Sequence, residues 1–189
     1  MLFMRIIAEI GVNHNGSISR AKKLIQYSKS AGADFVKFQL YKTENLVIKK
    51  SQSAEYQKKI SSNQFKILKK YELSIKQFKL LYDYCIRLKI EPLVTCFDIE
   101  SFKSVKKFYK TKYLKVSSGD LDNLPLIYEL AKTNKKLILS TGMSTIDQIN
   151  LILKTIFFSK KKINKSPNLT KIKRIRLTKS VLSFLKKKV

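Results

Sequence analysis

The sequence predicts an α/β fold built on a parallel sheet. Five short segments rich in Ile, Val, Leu and Phe end at polar residues or glycine, and longer stretches with the apolar spacing of helices separate them. The resulting order is a β-α unit repeated five times. Such alternation is typical of a parallel sheet, either a doubly wound sheet or a barrel. The strand pattern by itself leaves these two architectures open.

The elements follow one another along the whole first part of the chain. The predicted strands are residues 5–9, 34–39, 91–96, 113–116 and 136–140. The predicted helices are residues 17–31, 74–88, 98–109, 122–134 and 144–158. Ser74 is placed to cap its helix, Gly32 to end one, and Pro125 lies in a first turn, where proline is tolerated. Residues 41–73 are predicted to form a long loop at the site with one or two extra helices.

The composition is that of a globular protein with a large positive charge. The formal net charge is +27, which can attract nucleic acid or an anionic membrane. Lys outnumbers Arg 35 to 5 and is spread along the chain, whereas Arg is the preferred bidentate partner of phosphate. We therefore favour a compositional origin of the charge, with a functional origin as the alternative.

Several features predict a cytoplasmic protein. No apolar run approaches the roughly 18–20 residues of a membrane span, and the amino terminus does not resemble a signal peptide. Cys85 and Cys96 have neither the number nor the spacing of a disulfide framework or a metal site, and they suit a reduced compartment.

A break in charge divides the chain. Residues 159–189 contain 12 Lys or Arg and no Asp or Glu. We therefore predict a domain at 1–158 and a basic tail at 159–189 that is helical or disordered. The tail is interpreted as read-through of a truncated or frameshifted gene. The alternative is a basic helix, lying on anionic lipid or a partner, with an apolar side made of Ile172, Ile175, Leu182 and Leu185.

Every predicted strand delivers a polar side chain at its carboxyl end. These residues are Glu9, Lys37, Gln39, Thr95, Lys115 and Ser140, with Ser118 and Asp120 just beyond the fourth strand. In a β/α barrel that edge carries the active site. A buried lysine needs an anionic partner, so Lys37 and Lys115 among hydroxyls predict a site for phosphate and carboxylate groups. Glu9 and Asp120 are the candidates for handling protons.

The chain contains a single histidine, His14. It is either a hydrogen-bonded loop residue or a catalytic one, and by itself it cannot form a histidine metal site. The sequence carries no Walker-type or dinucleotide glycine motif, which argues against a nucleotide-binding enzyme of those classes.

Four motifs give the chain a resemblance to a known family. Residues 9–16 (EIGVNHNG), 36–39 (VKFQ), 115–120 (KVSSGD) and 139–143 (LSTGM) resemble, in order and spacing, segments of the sialic acid synthase family. That family includes legionaminic and pseudaminic acid synthases and spore-coat polysaccharide proteins. The resemblance covers residues 5–158 and implies a (β/α)8 TIM barrel, truncated here after about five β/α units. The opening motif with His14 argues against a different aldol-type synthase on the same barrel.

The resemblance also implies an activity. Family members condense phosphoenolpyruvate with an open-chain N-acyl amino sugar, such as N-acetylmannosamine, to give a nonulosonic acid and phosphate. Glu9, Asp120 and His14 are implied as catalytic, with Asn13 beside His14 in the opening loop of the substrate site. The other implied substrate-binding residues are Lys37, Gln39, Thr95, Lys115, Ser118 and Ser140. A divalent metal, Mn²⁺ or Mg²⁺, would polarise the sugar aldehyde, and the full-length enzymes are homodimers.

The chain departs from the family after residue 158. Neither the two metal-binding histidines of the later strands nor the antifreeze-like domain has a counterpart, so no metal ligand is predicted. We therefore expect weak or no activity. Because a half barrel leaves open sheet edges and uncovered apolar surface, we also expect either low stability or association with itself or another chain. A non-catalytic interaction protein is the alternative function, although binding of nucleic acid or membrane by the tail is not expected. The identity of the acceptor sugar is left open.

Overall fold

A computed structural model describes residues 4–49 and 63–163, the last three by their backbone alone. The strands are β1 (Ile7–Gly11), β2 (Phe35–Leu40), β3 (Glu91–Cys96), β4 (Tyr113–Val116) and β5 (Lys136–Leu139). They form one sheet in the order β1-β2-β3-β4-β5, and every neighbouring pair is parallel. A doubly wound sheet reverses its strand order part-way, whereas barrel strands are added in sequence. The order therefore agrees with the predicted partial barrel of five β/α units.

Helices follow every strand. They are α1 (Ile18–Ser30), α2 (Thr43–Leu46), α3 (Gln64–Tyr71), α4 (Ile75–Arg87), α5 (Ile99–Lys106), α6 (Leu124–Ala131) and α7 (Ile146–Ile163). Local side chains fix their starts: Ser17 caps α1, Asp98 caps α5, and Ser74 forms a capping box with Gln77 at α4. Among the described residues, no helix has the length and apolar character of a membrane span.

The predicted boundaries need three corrections. β1 begins two residues later than predicted and continues to Gly11 through an irregularity in its pairing with β2. α5 and α6 are shorter than predicted, ending at Lys106 and Ala131. α7 runs past residue 158 to Ile163, because lysine is a good helix former and the small side chain of Ser159 is buried.

Two other predictions are only partly covered by the described residues. The predicted extra helices between β2 and β3 are α2 and α3, while residues 50–62 lie outside the described part. Most of the predicted basic tail, residues 164–189, also lies outside it. The division at 158/159 stays a prediction.

The hydrophobic core lies between the sheet and the helices. One set of alternate β2 residues, Val36, Phe38 and Leu40, is fully buried, and the Phe38 ring packs edge-on against Phe78 of α4 at 5.8 Å. Alternation along a strand places the intervening residues, Lys37 and Gln39, on the opposite face. The packing of the helices therefore fixes which side chains the strands present on the inner face of the partial barrel.

Candidate functional site

Strand register brings the predicted site residues together at one edge of the inner face. Gln39 is paired with Thr95, and Thr95 is paired with Lys115, so these three residues form a row across β2, β3 and β4. Glu9 of β1 is paired with Lys37 of β2. The carboxyl ends of all five parallel strands meet at this edge, where β/α barrels carry their active sites.

Glu9 and Lys37 form an ion pair at the end of β1. Glu9 Oε2 lies 2.5 Å from Lys37 Nζ, and the Lys37 side chain is 12% exposed against 50% for Glu9. Gly11 allows this arrangement, because a Cβ there would lie 2.9 Å from Glu9 Oε1 and 3.7 Å from Gln39 Nε2. The lysine is therefore held inside the partial barrel by a carboxylate that itself remains accessible.

Lys115 is the second cation of the site. Its Nζ donates to Ser140 Oγ at 2.5 Å and to the Val116 carbonyl oxygen at 2.7 Å. Burial and, after it, the charge of Lys37 lower the pKa of Lys115 to about 8, against the opposing effects of Glu9 and Asp120. Two ammonium groups thus share a half-buried space, and an anion bound there would stabilise the charged form of Lys115.

Asp120 lies in the short 3-10 turn, Ser118–Asp120, that follows β4. Burial and, after it, the charge of Asp122 raise the pKa of Asp120 to about 6, against the opposing effects of Ser117 and Lys115. A carboxyl group with a pKa in this range can hold or release a proton near neutral pH.

Two buried oxygen atoms at this edge have no hydrogen-bond partner among the described residues, Thr95 Oγ1 and Asp120 Oδ2. A buried polar atom without a partner costs about 1–3 kcal/mol, so such atoms are rare and mark positions where a ligand or water belongs. Thr95 lies between Gln39 and Lys115 in the row, and the residue is only 1% exposed. Its hydroxyl is placed to donate to a bound anion.

His14 ties together the loop that follows β1. The residue is buried, and its Nδ1 accepts a hydrogen bond from the Gly16 amide at 3.0 Å. Burial lowers the pKa of His14, and a hydrogen bond to the Gly11 backbone partly offsets that effect. An imidazole whose Nδ1 accepts is neutral with its proton on Nε2. The geometry gives His14 a positioning role in this loop, and its predicted part in catalysis stays a prediction.

The opening loop is also fixed from outside. Gly16 has a φ of +76°, and a Cβ on it would lie 2.5 Å from the Lys70 carbonyl oxygen of α3. Asn13 is exposed in the same loop, and no side-chain hydrogen bond within the described residues joins it to the Lys37 and Lys115 cluster. Ser118 is half-buried at the start of the turn that carries Asp120.

Two carboxylates hold the chain after β2 in place by hydrogen bonds. The sequence analysis did not identify them. Buried Asp98 accepts from the Lys42 amide at 2.9 Å and from the Ser101 amide and hydroxyl at 2.8 and 2.7 Å. Glu72 Oε2 accepts from the Thr43 amide at 3.0 Å and from the Thr43 hydroxyl at 2.6 Å. The D-x-x-S spacing signals the helix cap at Asp98, whereas nothing in the sequence pairs Thr43 with Glu72.

The described residues do not fit a metal ion by themselves. Within the described ranges, no three His, Cys, Asp or Glu side chains are grouped closely enough to hold one. Glu9 is paired with Lys37, and His14 Nδ1 accepts from a backbone amide. No chemical step is therefore assigned to a metal on these residues.

Comparison with known proteins identifies the family. The NeuB family profile matches residues 24–177. The chain belongs to the NeuB family. It is 42% identical over 154 residues to the N,N'-diacetyllegionaminic acid synthase of Campylobacter jejuni, an alignment covering 80% of this chain and 46% of that protein. It is 34% identical over 156 residues to the N-acetylneuraminate-9-phosphate synthase of Drosophila melanogaster, covering 80% of this chain and 41% of that one. The predicted family is confirmed.

Solved structures of known proteins share the fold of this chain. The sialic acid synthetase of Leptospira borgpetersenii, in complex with citrate, matches with a TM-score of 0.73 and 26% identity, over 97% of this chain and 61% of that one. A 3-deoxy-D-arabino-heptulosonate 7-phosphate synthase from Thermotoga maritima matches with a TM-score of 0.57 and 14% identity, over 84% of this chain and 48% of that one, and shows the fold alone. The NeuB-family chain spans about half the length of the curated relatives it matches.

Proposed function

We propose that the chain carries the phosphoenolpyruvate-binding part of a nonulosonic acid synthase. The reaction joins phosphoenolpyruvate to an open-chain N-acyl amino sugar and releases inorganic phosphate. One observation carries the proposal: Lys37 and Lys115 lie together on the inner face at the carboxyl edge, and the charge of Lys37 lowers the pKa of Lys115. Two cations that perturb each other in a partly buried site favour a ligand with several negative charges.

The surrounding groups suit the two ends of phosphoenolpyruvate. Lys37 and Lys115 neutralise its phosphate and carboxylate, and the hydroxyls of Thr95, Ser118 and Ser140 donate to the same oxygen atoms. Gln39 and Asn13 complete the proposed substrate contacts. When the ligand arrives, Glu9 can release Lys37, because half of the Glu9 side chain is already exposed.

The proposed reaction forms one carbon–carbon bond. C3 of phosphoenolpyruvate attacks the aldehyde carbon of the sugar, and the aldehyde oxygen takes up a proton. Water adds to C2, and the phosphate group then leaves with its bridging oxygen to give the 2-oxo acid. Asp120 is the proposed proton carrier for these steps, since burial raises the pKa of its carboxyl group to about 6.

Further parts of the proposal concern two residues of the site and the complete enzyme. Glu9 orients Lys37 and the reacting centre, and neutral His14 holds the opening loop in place. The Mn²⁺ or Mg²⁺ that the family resemblance implies would bind with groups beyond the described residues. On the basis of the same family resemblance, we also propose a homodimer, an N-acyl amino sugar as the acceptor, and a cytoplasmic location.

Binding of phosphoenolpyruvate to the full chain tests the proposal, with isothermal titration calorimetry as the measurement. Lys37→Met and Lys115→Met should each weaken binding by about tenfold or more, because a hydrogen bond to a charged group contributes roughly 1.5–3 kcal/mol. Lys136→Met is the matched control, since Lys136 lies on the same face of the sheet at its amino edge and is exposed. Equal affinities in all three variants, or no binding by the folded chain, would overturn the proposal.

A second assay addresses turnover. The chain is mixed with phosphoenolpyruvate, N-acetylmannosamine and Mn²⁺, and released phosphate is measured. We expect weak or no release from this chain alone, and robust turnover would contradict that expectation while supporting the reaction itself.

A further inference from the structure

The Lys115 amine has an unusual combination of neighbours. Two acceptors, Ser140 Oγ at 2.5 Å and the Val116 carbonyl oxygen at 2.7 Å, take two of its N–H bonds. Among the described residues, no acceptor takes the third tetrahedral direction of Nζ. When the ammonium loses a proton, the two remaining N–H bonds can keep both acceptors, and the nitrogen lone pair then points in the third direction.

Burial favours the neutral form of the Lys115 amine by lowering its pKa. The positive charge of Lys37 acts in the same direction, and Glu9 and Asp120 act in the opposite direction. A fall of the pKa from 10.5 to about 8 increases the neutral fraction at pH 7 by roughly two orders of magnitude. A neutral amine is a nucleophile toward carbonyl carbon, and lysines desolvated beside another cation are the ones that form Schiff bases.

We propose that Lys115 is a covalent modification site, whose amine condenses reversibly with the ketone of a small 2-oxo acid. The reaction needs a group that positions the 2-oxo acid as well as a neutral amine. The Lys37 ammonium can hold the carboxylate next to the ketone and so position the carbonyl carbon near Lys115 Nζ. This proposal rests on the anion-binding part of the proposed function and adds an activity to it. Phosphoenolpyruvate itself has no ketone and cannot react in this way.

The condensation balances without an added reagent. The nitrogen lone pair forms the N–C bond, the carbonyl π pair moves to oxygen, and one N–H proton is transferred to that oxygen to give the carbinolamine. The second N–H proton and the hydroxyl group then leave as water while the C=N bond forms. The net change is an amine and a ketone to an imine and water. Asp120 is the nearby carboxyl group that can carry the proton to the departing oxygen.

The experiment traps the imine with pyruvate and sodium cyanoborohydride at pH 7.5. The full chain is digested, and each lysine is examined by mass spectrometry for a carboxyethyl group. We expect Lys115 to react at least tenfold faster than Lys135. Burial lowers the pKa of Lys135 as well, but its Nζ donates to the Thr111 carbonyl oxygen at the other end of the sheet. Modification spread evenly over exposed lysines, or none at Lys115, would overturn the proposal.

Two variants test separately the role of Lys115 as the nucleophile and the role of Lys37 in anchoring the carboxylate of the 2-oxo acid. Lys115→Arg keeps the charge and must lose the adduct, with circular dichroism confirming that it folds. Lys37→Met should slow labelling by pyruvate more than labelling by acetaldehyde, which has no carboxylate, at a pH high enough to deprotonate Lys115 in both proteins. Equal slowing of the two reagents would refute the anchoring role.

Phosphoenolpyruvate distinguishes failure of this inference from failure of the proposed function. Saturating phosphoenolpyruvate should suppress Lys115 labelling, because it occupies the same cations. If it binds but pyruvate leaves no adduct, only the covalent site is wrong. If pyruvate labels Lys115 while phosphoenolpyruvate neither binds nor protects, the proposed synthase function is wrong and the reactive amine stands.

Discussion

Binding of phosphoenolpyruvate should weaken as the pH rises through the pKa of Lys115. That pKa is about 8 in the free protein, and a bound anion raises it by stabilising the ammonium. Binding therefore takes up a proton at pH values above 8 and becomes less favourable there. The protonated fraction falls about tenfold between pH 7 and pH 9, so the dissociation constant should rise by about tenfold over the same interval.

Calorimetric titrations at pH 7, 8 and 9 measure this dependence directly. Lys115→Arg is the control, because a guanidinium stays protonated throughout this range. Between pH 8 and pH 9 its affinity should change far less than that of the wild type, whatever its absolute value. If the wild-type affinity does not change, or if the arginine variant shows the same slope, then Lys115 is not the titrating contact and the assignment of the site is refuted.

Three stability predictions can be checked together by urea unfolding. Gly32→Ala, at a φ of +80° with no atom near the new Cβ, should lower the free energy of unfolding by about 1 kcal/mol. Gly16→Ala should lower it by at least twice as much, because its Cβ would lie 2.5 Å from a backbone carbonyl oxygen. Equal losses in the two variants would contradict the close contact. Phe78→Ala in the core should cost about 3–5 kcal/mol, and Leu80→Ala, 45% exposed on the same helix, under about 1 kcal/mol. Because the folded pKa of His14 lies below its usual 6.5, acidification below pH 6.5 should destabilise the wild type more than His14→Gln, and an identical loss in both would remove His14 as a cause.

The bounds of β3 and β4 were predicted to the residue from the sequence, and those of the other strands to within two residues. The reason is physical. Buried parallel strands consist of short apolar runs, and these runs stop where the chain turns at Ser, Asp or Gly. β1 was less accurate, because its last residue, Gly11, has a φ of +51° and continues the strand through an irregular pairing that hydrophobicity does not register.

The placement of the candidate site residues at one edge follows from the strands, while their roles stay predictions. Once strand ends are known, parallel pairing brings Glu9, Lys37, Thr95 and Lys115 to one edge without any knowledge of loop structure. Contacts that depend on loop conformation were not predictable in this way. Thr43 and Glu72 lie 29 residues apart and meet only because α3 folds back onto the chain after β2. The turn contacts of His14 likewise depend on backbone angles that residue types alone do not specify.

The two perturbed groups of the site respond to one ligand in the same direction. Asp120 has a pKa of about 6 and Lys115 of about 8, so both are mainly charged between these values in the free protein. A multiply charged anion beside them raises both pKa values, since it stabilises the ammonium and destabilises the carboxylate. Bound phosphoenolpyruvate would therefore hold Lys115 in its cationic form and bring Asp120 nearer to a proton donor at neutral pH. The same ligand that suppresses the reactive amine would thereby prepare the acid that the proposed condensation needs.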